Sequence, residues 1–430
     1  MDCDVVILGA GAAGLACARS LLTAGRTIVV LEAQSRVGGR LLTREGPGVP
    51  IELGGEFVHG PAAVSFELLR AADTAAIDVD GTSFAFRDGT LSEAEDPFEV
   101  ASSVFARARN LRADVSVAEF LSTFDERERV FTRMLVEGFD AAEPARASIL
   151  ALADEWRDGV GGQTARQFRP LGGYAPLLRT LRAALDPQRA RLLLDCTVRS
   201  VHRDGNGVDV TAADGAGAVL QVHAQAAIVT FSVGVLQAGV PVFDPPLPAA
   251  TAAALALLAM GPVVKLALTF RSAFWETVAG GRYRDGAFFH RVEAAFPSFW
   301  TQLPVRAPLL IAWAGGPKAE ALRAFDDSAR VRTALDDLHT LFGDESDPHG
   351  EFESADQHDW QRDPYACGAY SYALVGGAHA REALASPVDD RLFFAGEASA
   401  SAAESGTVAG ALQSGQRAAA QVLARYGVSG

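Results

Sequence analysis

The chain begins with short apolar runs and glycines whose pattern predicts parallel strands joined by a helix. Residues 4–8 are an apolar run that ends in glycines, and residues 27–33 form a second run of the same kind. Between them, residues 12–24 are rich in Ala and Leu at helical spacing, and Gly25 follows as the expected C-cap. A buried strand, a helix and a second buried strand in this order predict a βαβ unit.

Further along the chain, the hydrophobic pattern changes from one stretch to the next. Helical periodicity with many Arg, Ala and Glu residues predicts a helix-rich region over residues 62–190. Apolar runs then predict strands through residues 190–231 and most of residues 262–315, and helices over residues 318–345. The turn sequence DGNG, within the first of these strand-rich stretches, predicts a hairpin.

The C-terminal part returns to the strand, turn and helix pattern of the beginning. Residues 391–398 predict a strand that runs into a glycine turn, and a closing helix follows with Ser405 as its N-cap. Elements of this type therefore lie at both ends and in the middle of the chain. We expect two domains assembled from discontinuous pieces, with residues 1–75, 190–265 and 385–430 in the first and residues 76–189 and 266–384 in the second.

Composition and charge exclude several classes of function. Of the 430 residues, 49% are hydrophobic and 21% are charged, which is ordinary for a soluble globular protein. The net charge of −15 argues against nucleic acid or an anionic membrane surface as a partner. Four scattered cysteines without metal-ligand spacing favour a reducing compartment and predict no metal site. With no apolar run near the roughly 18–20 residues of a membrane span, and no apparent signal peptide or tail anchor, we expect a cytoplasmic protein.

The first glycine-rich turn carries the residues of a dinucleotide site. Gly9, Gly11 and Gly14 have GxGxxG spacing between a predicted strand and a predicted helix. The first glycine permits the tight turn, the second lets backbone approach a pyrophosphate, and the third lets the helix pack on the strand. The helix start offers free N–H groups to phosphates, and Glu32 ends the second strand where a carboxylate binds ribose hydroxyls. This fingerprint alone fits either NAD or FAD.

Later segments favour FAD through a resemblance to a known family. Residues 32–43 (EAQSRVGGRLLT) run from the acidic residue into a second glycine pair, and residues 51–60 (IELGGEFVHG) follow. Together with three later blocks, these segments resemble the flavin-dependent amine oxidase superfamily, which includes monoamine oxidases, polyamine oxidases and lysine-specific histone demethylases. The later blocks are AAIVTFSVGVLQAGVPVFDPPLP, DPYACGAYSYALVGG and RLFFAGEASASAAESGTVAGALQSGQRAA. The helix-rich region resembles no specific relative.

The resemblance implies an α/β fold, with a Rossmann-type FAD-binding domain from the first set of segments. The second set would form a discontinuous substrate-binding domain of mixed sheet and helices. The FAD is expected to be non-covalent, because Ala369 stands where monoamine oxidases with attached flavin have cysteine, and Cys367 lies two residues earlier. The cofactor-binding residues implied by the match are Gly9, Gly11, Ala13, Gly14, Glu32, Ala33, Gly39, Arg40, Gly54, Gly55, Glu56, Val198, Trp360, Gly396, Glu397, Thr407 and Val408.

The same resemblance implies an aromatic cage for an amine. Trp360 and Tyr370 have the spacing found in monoamine oxidases, where the tryptophan packs near the flavin and the tyrosine forms one wall of the cage. The π faces of such a cage bind cations and align a neutral amine. Thr407 stands where monoamine oxidases carry the second cage tyrosine, and where many polyamine oxidases and histone demethylases carry threonine. Tyr372 is a further candidate for contact with the substrate.

The block GGEFVHG resembles the polyamine oxidase block in which an aromatic residue and a histidine face the active site. Phe57 and His59 match those positions. His59 would be a hydrogen-bond partner for a substrate nitrogen or a proton relay. Glu56 is unusual in that block, and it is a candidate for contact with flavin or substrate.

Lysine is rare in this chain, which makes its position in one apolar run informative. Lys265 and Lys318 are the only lysines among 38 basic residues. Alternation along a strand would place Lys265 on one face with Val263, Ala267 and Thr269, and Val264, Leu266, Leu268 and Phe270 on the other, core-facing side. From the residues alone, the face of Lys265 could be exposed. The resemblance instead implies a lysine that reaches toward flavin N5, commonly through a water, and assists oxygen reduction, so Lys265 joins His59 and Tyr370 as the predicted catalytic residues.

These residues predict an FAD-dependent oxidase of amines. Hydride would pass from the α-carbon to flavin N5, an imine would hydrolyse to an aldehyde, and O2 would be reduced to H2O2. His59 and Thr407 favour polyamine-type substrates over monoamines. The alternatives are a monoamine oxidase, a C–C oxidising flavoenzyme such as a protoporphyrinogen oxidase or desaturase, a histone demethylase, and a flavoprotein without activity. We expect a monomer or homodimer whose partners are a small amine and O2.

Overall fold

The computed structural model describes residues 1–60, 62–94, 97–158 and 166–427. The strands, in chain order, are β1 (Asp2–Leu8), β2 (Ile28–Leu31), β3 (Thr43–Arg44), β4 (Ile51–Glu52), β5 (Val58–His59), β6 (Ala76–Asp78), β7 (Thr82–Arg87), β8 (Thr90–Glu93), β9 (Gln167–Pro170), β10 (Ala190–Leu193), β11 (Cys196–Arg203), β12 (Val208–Asp214), β13 (Val219–Val229), β14 (Val242–Asp244), β15 (Leu258–Met260), β16 (Val263–Phe270), β17 (Gly286–His290), β18 (Ser298–Trp300), β19 (Leu309–Gly315), β20 (Phe352–Gln357), β21 (Ser371–Ala373) and β22 (Leu392–Phe394).

The helices of these same residues are α1 (Ala12–Thr23), α2 (Ala63–Ala71), α3 (Pro97–Ala108), α4 (Val117–Leu121), α5 (Glu126–Gly138), α6 (Ile149–Asp158), α7 (Ala175–Ala183), α8 (Val233–Gln237), α9 (Ala249–Ala256), α10 (Val278–Gly281), α11 (Gly316–Leu322), α12 (Asp327–Phe342), α13 (Pro348–Glu351), α14 (Ala380–Ala385) and α15 (Val408–Tyr426). No helix among the described residues is long and apolar enough to cross a membrane.

The larger sheet has eight strands in the order β10-β2-β1-β13-β12-β11-β14, with β22 paired to β13. Strands β10, β2, β1, β13 and β22 run parallel to one another, whereas β12 runs antiparallel to both β13 and β11. Alternate residues of β1 enter different hydrophobic clusters on the two faces of the sheet, as expected for a parallel sheet covered on both sides. The predicted βαβ unit and the α/β fold are confirmed.

The third glycine of the first turn is required by close packing of helix on turn. A Cβ on Gly14 would lie 2.1 Å from the carbonyl oxygen of Gly9, so any larger residue would push α1 away from β1. On its other side α1 packs against α15, where a Cβ on Gly415 would lie 2.2 Å from the Ala13 carbonyl oxygen. The N-terminal and C-terminal segments therefore meet at the start of α1.

The second large sheet has seven strands in the order β20-β16-β19-β18-β17-β7-β8. All eight residues of β16, including Lys265, are buried. The predicted alternation is confirmed for the face that carries Leu266 and Phe270, which lie in one hydrophobic cluster. The possibility that the opposite face is exposed is wrong, because Ala267 on that face packs in a separate cluster with Ile51 and Leu53.

The helix-rich reading of residues 62–190 is only partly right. Helices α2 to α7 lie there, but so do β6, β7, β8 and β9. Strands β7 and β8 form a hairpin whose turn is Asp88–Gly89, with φ of +49° and +79°. An Asp-Gly pair between strands is a strong hairpin signal, so this hairpin was detectable from the sequence.

The N-cap of the last helix differs from the predicted one. Thr407 caps α15, since its Oγ1 accepts a hydrogen bond from Gly410 N at 2.9 Å. Ser405 ends the preceding 3₁₀ turn instead. The division into two domains stays a prediction, and its ranges include residues 61, 95–96, 159–165 and 428–430, which lie outside the described residues.

Candidate active site

A cavity of about 1550 Å³ runs between the two large sheets and holds nearly all of the predicted site residues. Its walls are formed by the glycine-rich turn before α1, residues 38–41 and 53–59, the bulge in β11, β16, residues 364–372 and the start of α15. Of the predicted residues, only Gly14 is absent from the wall, in agreement with its packing role. The predicted contacts with cofactor and substrate stay predictions, but the structure brings these residues together.

The carboxylate of Glu32 is held at the end of β2 by backbone donors. Its Oε2 accepts from Ala10 N at 2.7 Å, and its Oε1 accepts from Gln34 N at 2.9 Å. Burial raises the pKa of Glu32, and these two N–H groups act in the opposite direction. The acidic group therefore sits beside the glycine turn in a fixed orientation, as a ribose-binding carboxylate requires.

Val198 lines the cavity at an irregularity in the sheet. The pairing of β11 with β12 shifts register between Val198 and Ser200. Such a bulge leaves the local backbone out of the ladder, and Thr197, Val198 and Arg199 all line the cavity there. The backbone at Val198 is thus placed to contact a bound group.

Arg40 and Glu397 form an ion pair in the cavity wall, with the carboxylate buried and the guanidinium half-buried. Arg40 Nη1 donates to Glu397 Oε1 at 2.9 Å and to the carbonyl oxygen of Ala369 at 2.5 Å. Glu397 Oε2 accepts from Ser371 Oγ at 2.7 Å, and Arg381 lies 3.9 Å away. Burial alone would raise the pKa of Glu397, but Arg40 and Arg381 hold it below its usual value. The guanidinium of Arg40 is therefore fixed where it can meet a phosphate.

The second glycine pair is shaped by contacts that exclude a side chain. A Cβ on Gly54 would lie 1.8 Å from the carbonyl oxygen of Arg40, and 3.3 Å from the ring of Trp360. Trp360 Nε1 donates to the Leu53 carbonyl at 2.8 Å, which fixes the indole against this backbone. Backbone, indole and the start of α15 thereby form one continuous wall.

These features together fit FAD. The turn before α1 presents N–H groups, Glu32 suits a ribose, the Val198 bulge offers backbone, Arg40 offers a phosphate partner, and α15 points its N-terminus into the same cavity. The cavity is long enough to pass from these groups into an aromatic region. The chemistry of the donors and the shape of the cavity agree with a flavin dinucleotide.

Lys265 and Glu56 form a buried ion pair in this wall. Lys265 Nζ donates to Glu56 Oε2 at 2.7 Å and to the Gly54 carbonyl oxygen at 3.2 Å. Burial alone would raise the pKa of Glu56, but the charges of Lys265 and Arg169 hold it below its usual value. Glu56, which was predicted to contact flavin or substrate, is thus the counter-ion of Lys265.

Aromatic rings surround the other part of the cavity. Phe57 lies 5.7 Å from Trp300 and 5.8 Å from His59 between ring centroids. His59 in turn meets the edge of Phe139 at 5.4 Å. Burial lowers the pKa of His59 to about 4, so its imidazole is neutral near pH 7, and its Nδ1 is a buried atom without a hydrogen-bond partner in the described part of the chain.

Tyr370 is held as a wall of this aromatic region. Its hydroxyl donates to the Phe139 carbonyl oxygen at 2.6 Å, and its ring lies 3.5 Å from the position of a Cβ on Gly406. Thr407 lines the cavity beside it, but its hydroxyl is used to cap α15 and to donate to the Glu404 carbonyl at 2.7 Å. Tyr372 lines the cavity yet is only 4% exposed and packs in the hydrophobic cluster of the α3–α6 helices.

Two carboxyls that the sequence analysis missed face the same region. Asp140 follows α5 and Glu155 lies in α6, and both line the cavity. Burial raises the pKa of Asp140 well above its usual value, the charge of Glu155 raises it further, and a hydrogen bond from Trp156 opposes this. Burial also raises the pKa of Glu155, against the charge of Arg381, whose Nε lies 3.3 Å from Glu155 Oε1. Acidic residues are so common in this helix-rich stretch that none of them stands out.

Metal chemistry finds no support in the described ranges, where no group of three or more His, Cys, Asp or Glu residues could hold a metal ion. The thiols of Cys3, Cys17, Cys196 and Cys367 are free.

Comparison with known proteins identifies the family of this chain. The model of the family described as flavin containing amine oxidoreductase matches residues 12–80 and 82–423. Polyamine oxidase 4 of Oryza sativa subsp. japonica is 29% identical over 454 residues, which cover 97% of this chain and 88% of that protein. Lysine-specific histone demethylase 2 of Homo sapiens is 27% identical over 98% of this chain, but only 53% of the demethylase is covered.

Solved structures support the fold. A putrescine oxidase bound to putrescine superposes with a TM-score of 0.83 at 22% identity, and 99% of this chain and 100% of that chain are covered. Cyclohexylamine oxidase from Brevibacterium oxydans IH-35A superposes with a TM-score of 0.82 at 24% identity, with 99% of both chains covered.

Proposed function

The chain belongs to the flavin containing amine oxidoreductases, and on that premise we propose that it is an FAD-dependent amine oxidase that favours polyamine-type substrates. The proposed reaction converts a C–N single bond of the amine into an imine, which takes up water and splits into an aldehyde and a smaller amine or ammonia. FAD, held by the residues of the cavity wall, would supply the redox chemistry: N5 would take the hydride of the α-carbon, and O2 would take up the two electrons to give H2O2.

The residues of this chain position the amine and keep water out. Tyr370 and Phe57 offer π faces to the substrate, and the hydrogen bond of Tyr370 to the Phe139 carbonyl fixes the orientation of its ring. Amines are cations near pH 7 and must lose a proton before a hydride can leave. The neutral imidazole of His59, which lines the cavity, is the candidate partner for that nitrogen.

The charge of the cavity wall is the observation that favours a polyamine over a monoamine. Of the lining residues that the structure describes, seven bear a carboxyl and four bear a cation. Three of the cations are paired with lining carboxylates: Arg40 with Glu397, Arg166 with Asp78, and Lys265 with Glu56. Asp140 and Glu155 are further carboxyls of this wall. Glu155 is paired with Arg381, so Asp140, whose burial favours its uncharged form, is the group that a second ammonium of the substrate would draw into the charged form.

A matched pair of amines tests this proposal. 1,4-Diaminobutane and 1-aminobutane share a carbon chain and differ in the distal ammonium, so their ratio of kcat/KM measures its contribution. We expect H2O2 from both the diamine and a linear triamine, with kcat/KM for the diamine at least tenfold above that of 1-aminobutane. A ratio near one, together with good turnover of benzylamine, would support the monoamine oxidase alternative. Absence of both peroxide and anaerobic bleaching with every amine would exclude the oxidase.

The attachment of the flavin is tested separately. Ala369 lies at the cavity wall with its carbonyl bound to Arg40, and it has no side-chain atom that could form a bond to the ring. We therefore propose non-covalent FAD. Acid precipitation of the purified protein should leave the yellow colour in the supernatant, and a yellow pellet would contradict the proposal.

A further inference from the structure

Glu56 is the common acceptor of a buried cluster that joins four parts of the chain. Its Oε2 accepts from Lys265 Nζ at 2.7 Å. Its Oε1 accepts from Arg169 Nε at 3.1 Å and from Trp300 Nε1 at 3.0 Å, and Arg169 Nη2 lies 3.0 Å from the same oxygen. The side chains of Glu56, Lys265 and Arg169 are only 4%, 3% and 7% exposed. The carboxylate is therefore saturated by donors and has one fixed orientation.

Arg169 is tied to the protein independently of Glu56. Its Nη1 donates to the Leu303 carbonyl at 2.9 Å, and its Nη2 donates to the Thr301 carbonyl at 3.2 Å. The guanidinium also lies 5.0 Å from the ring centroid of Phe57. Arg169 is not among the residues that line the cavity, whereas Glu56, Lys265 and Trp300 are. Any effect of Arg169 on the cavity therefore passes through these neighbours.

The charges of the cluster do not cancel. Lys265 and Glu56 alone would be a neutral pair, and the ammonium would then act on the cavity as one end of a dipole. A guanidinium group is a cation at any working pH, so with Arg169 the cluster carries one net positive charge. Glu52 is the next ionisable group, and burial raises its pKa to about 7, so it is mostly neutral below that pH.

The ammonium of Lys265 is positioned with one donor to spare. A lysine has three N–H donors, of which one meets Glu56 and one meets the Gly54 carbonyl. Since Oε1 of Glu56 is occupied by Arg169 and Trp300, Oε2 is turned to Lys265. The third N–H is left for the cavity that Lys265 lines.

We propose that Arg169 is a positioning residue for the oxidase reaction, which orients Glu56 on Lys265 and leaves the cluster with a net positive charge at the cavity wall. This inference rests on the bound FAD of the proposed function, but it does not depend on which amine is oxidised. A positive charge beside a flavin favours its reduced, more negative form, so the cluster should raise the midpoint potential of the flavin.

The test uses two substitutions that change the cluster charge in opposite directions. The potential is measured on the holoenzyme by dye equilibration below pH 7, without any amine. Arg169→Gln removes a positive charge, so the potential should become more negative. Reoxidation by O2 should nevertheless slow about tenfold, because Glu56 would no longer be held in the orientation that positions the Lys265 ammonium. Glu56→Gln removes the negative charge, so the potential should become more positive. Arg169→Lys keeps the charge and loses the fork, and it should restore the potential.

A structural role would give a different pattern. If the substitutions only damaged the fold, the midpoint potentials of Arg169→Gln and Glu56→Gln would shift in the same direction or stay unchanged. Either result overturns the proposal. Arg203→Gln is a matched control, because Arg203 is also buried and pairs with Asp389 at 2.9 Å and with the Pro246 carbonyl at 3.0 Å, outside the cavity wall. Its potential should match the wild type. If Arg169→Gln does not fold, the midpoint potential of Glu56→Gln still tests the proposal, which requires that potential to rise.

Discussion

The ammonium of Lys265 lies 2.7 Å from the carboxylate of Glu56, and their side chains are 3% and 4% exposed. A buried ammonium without a counter-ion would be costly, so the pair explains how a lysine is tolerated in a strand whose residues are all buried. The pair is not isolated, because Glu56 also accepts from Arg169. If Lys265 were removed, the carboxylate of Glu56 would therefore still be paired with the guanidinium of Arg169.

Lys265→Met should slow reoxidation of the reduced enzyme by O2 by about 10²-fold, the loss typical of one preorganised donor. FAD affinity should change much less, since Arg169 and Trp300 still satisfy Glu56. Stopped-flow mixing of the reduced enzyme with O2 measures the first quantity, and titration of the apoprotein with FAD measures the second. Lys318→Met is the control, because Lys318 is the other lysine and donates to the Ala294 carbonyl away from the cavity. Unchanged reoxidation in Lys265→Met would make Lys265 a structural residue.

Glu52 should make the stability of the protein depend on pH. Burial raises the pKa of Glu52 from 4.5 to about 7, so the folded state holds its proton more tightly than the unfolded state. The stabilisation is fully present below pH 4.5 and is lost as the pH rises toward 7. It amounts to roughly 3–4 kcal/mol at about 1.4 kcal/mol per pH unit.

Glu52→Gln should remove this dependence and leave the variant more stable than the wild type above pH 7. A glutamine oxygen can still accept from Thr43 Oγ1 and Tyr174 N, which bind Glu52 Oε1 at 2.7 and 2.6 Å. Urea unfolding of both proteins across this pH range measures the difference. Parallel curves for the two proteins would show that Glu52 titrates normally.

The cofactor-binding part of the site could be predicted because the residues of its motif lie close together in the sequence. Gly9, Gly14 and Glu32 belong to one βαβ unit, where the strand and helix pattern fixes their relative positions. The later blocks were identified by resemblance, and the structure brings them to the same cavity. The positions of these blocks around the cavity are set by the backbone of the fold, which all proteins with this fold share.

The Glu56 cluster was not predictable from local patterns. Glu56 is separated by 113 residues from Arg169, by 209 from Lys265 and by 244 from Trp300. Arginine is abundant in this chain, so Arg169 has no feature that marks it. The packing of β9 and β16 around residues 54–57 brings Arg169 and Lys265 to Glu56. This packing is tertiary structure, which no short segment of the sequence reveals.

Tyr370 is predicted to act through its ring more than through its hydroxyl. Tyr370→Phe keeps the π face and loses the bond to the Phe139 carbonyl, so it should cost about 1 kcal/mol of stability and change kcat/KM only a few-fold. Tyr370→Leu loses the face and should lower kcat/KM about tenfold, in line with roughly 1–2 kcal/mol for a desolvated cation–π contact. Steady-state kinetics with 1-aminobutane compare the two variants. Equal losses in both would mean that the hydroxyl, and not the ring, positions the amine.

Asp140 is predicted to contribute to the preference for diamines. Its pKa is raised well above its usual value by burial and by Glu155, which favours the uncharged carboxyl, so Asp140→Asn, which imitates that form, should fold normally. A distal ammonium bound nearby would draw off that proton and form a charge-assisted hydrogen bond, worth about 1.5–3 kcal/mol. The variant should therefore lose about tenfold or more in kcat/KM for 1,4-diaminobutane and little for 1-aminobutane.

The control for this variant is Asp154→Asn. Asp154 lies one residue from Glu155 on α6, pairs with Arg157 and does not line the cavity, so both amines should react as in the wild type. Binding of the diamine to the wild type should also release a proton into weakly buffered solution, and Asp140→Asn should abolish that release. Equal losses for both amines would show that Asp140 shapes the cavity without recognising the second charge. In that case Glu155, which is ion-paired to Arg381, would be the carboxylate that recognises the distal ammonium.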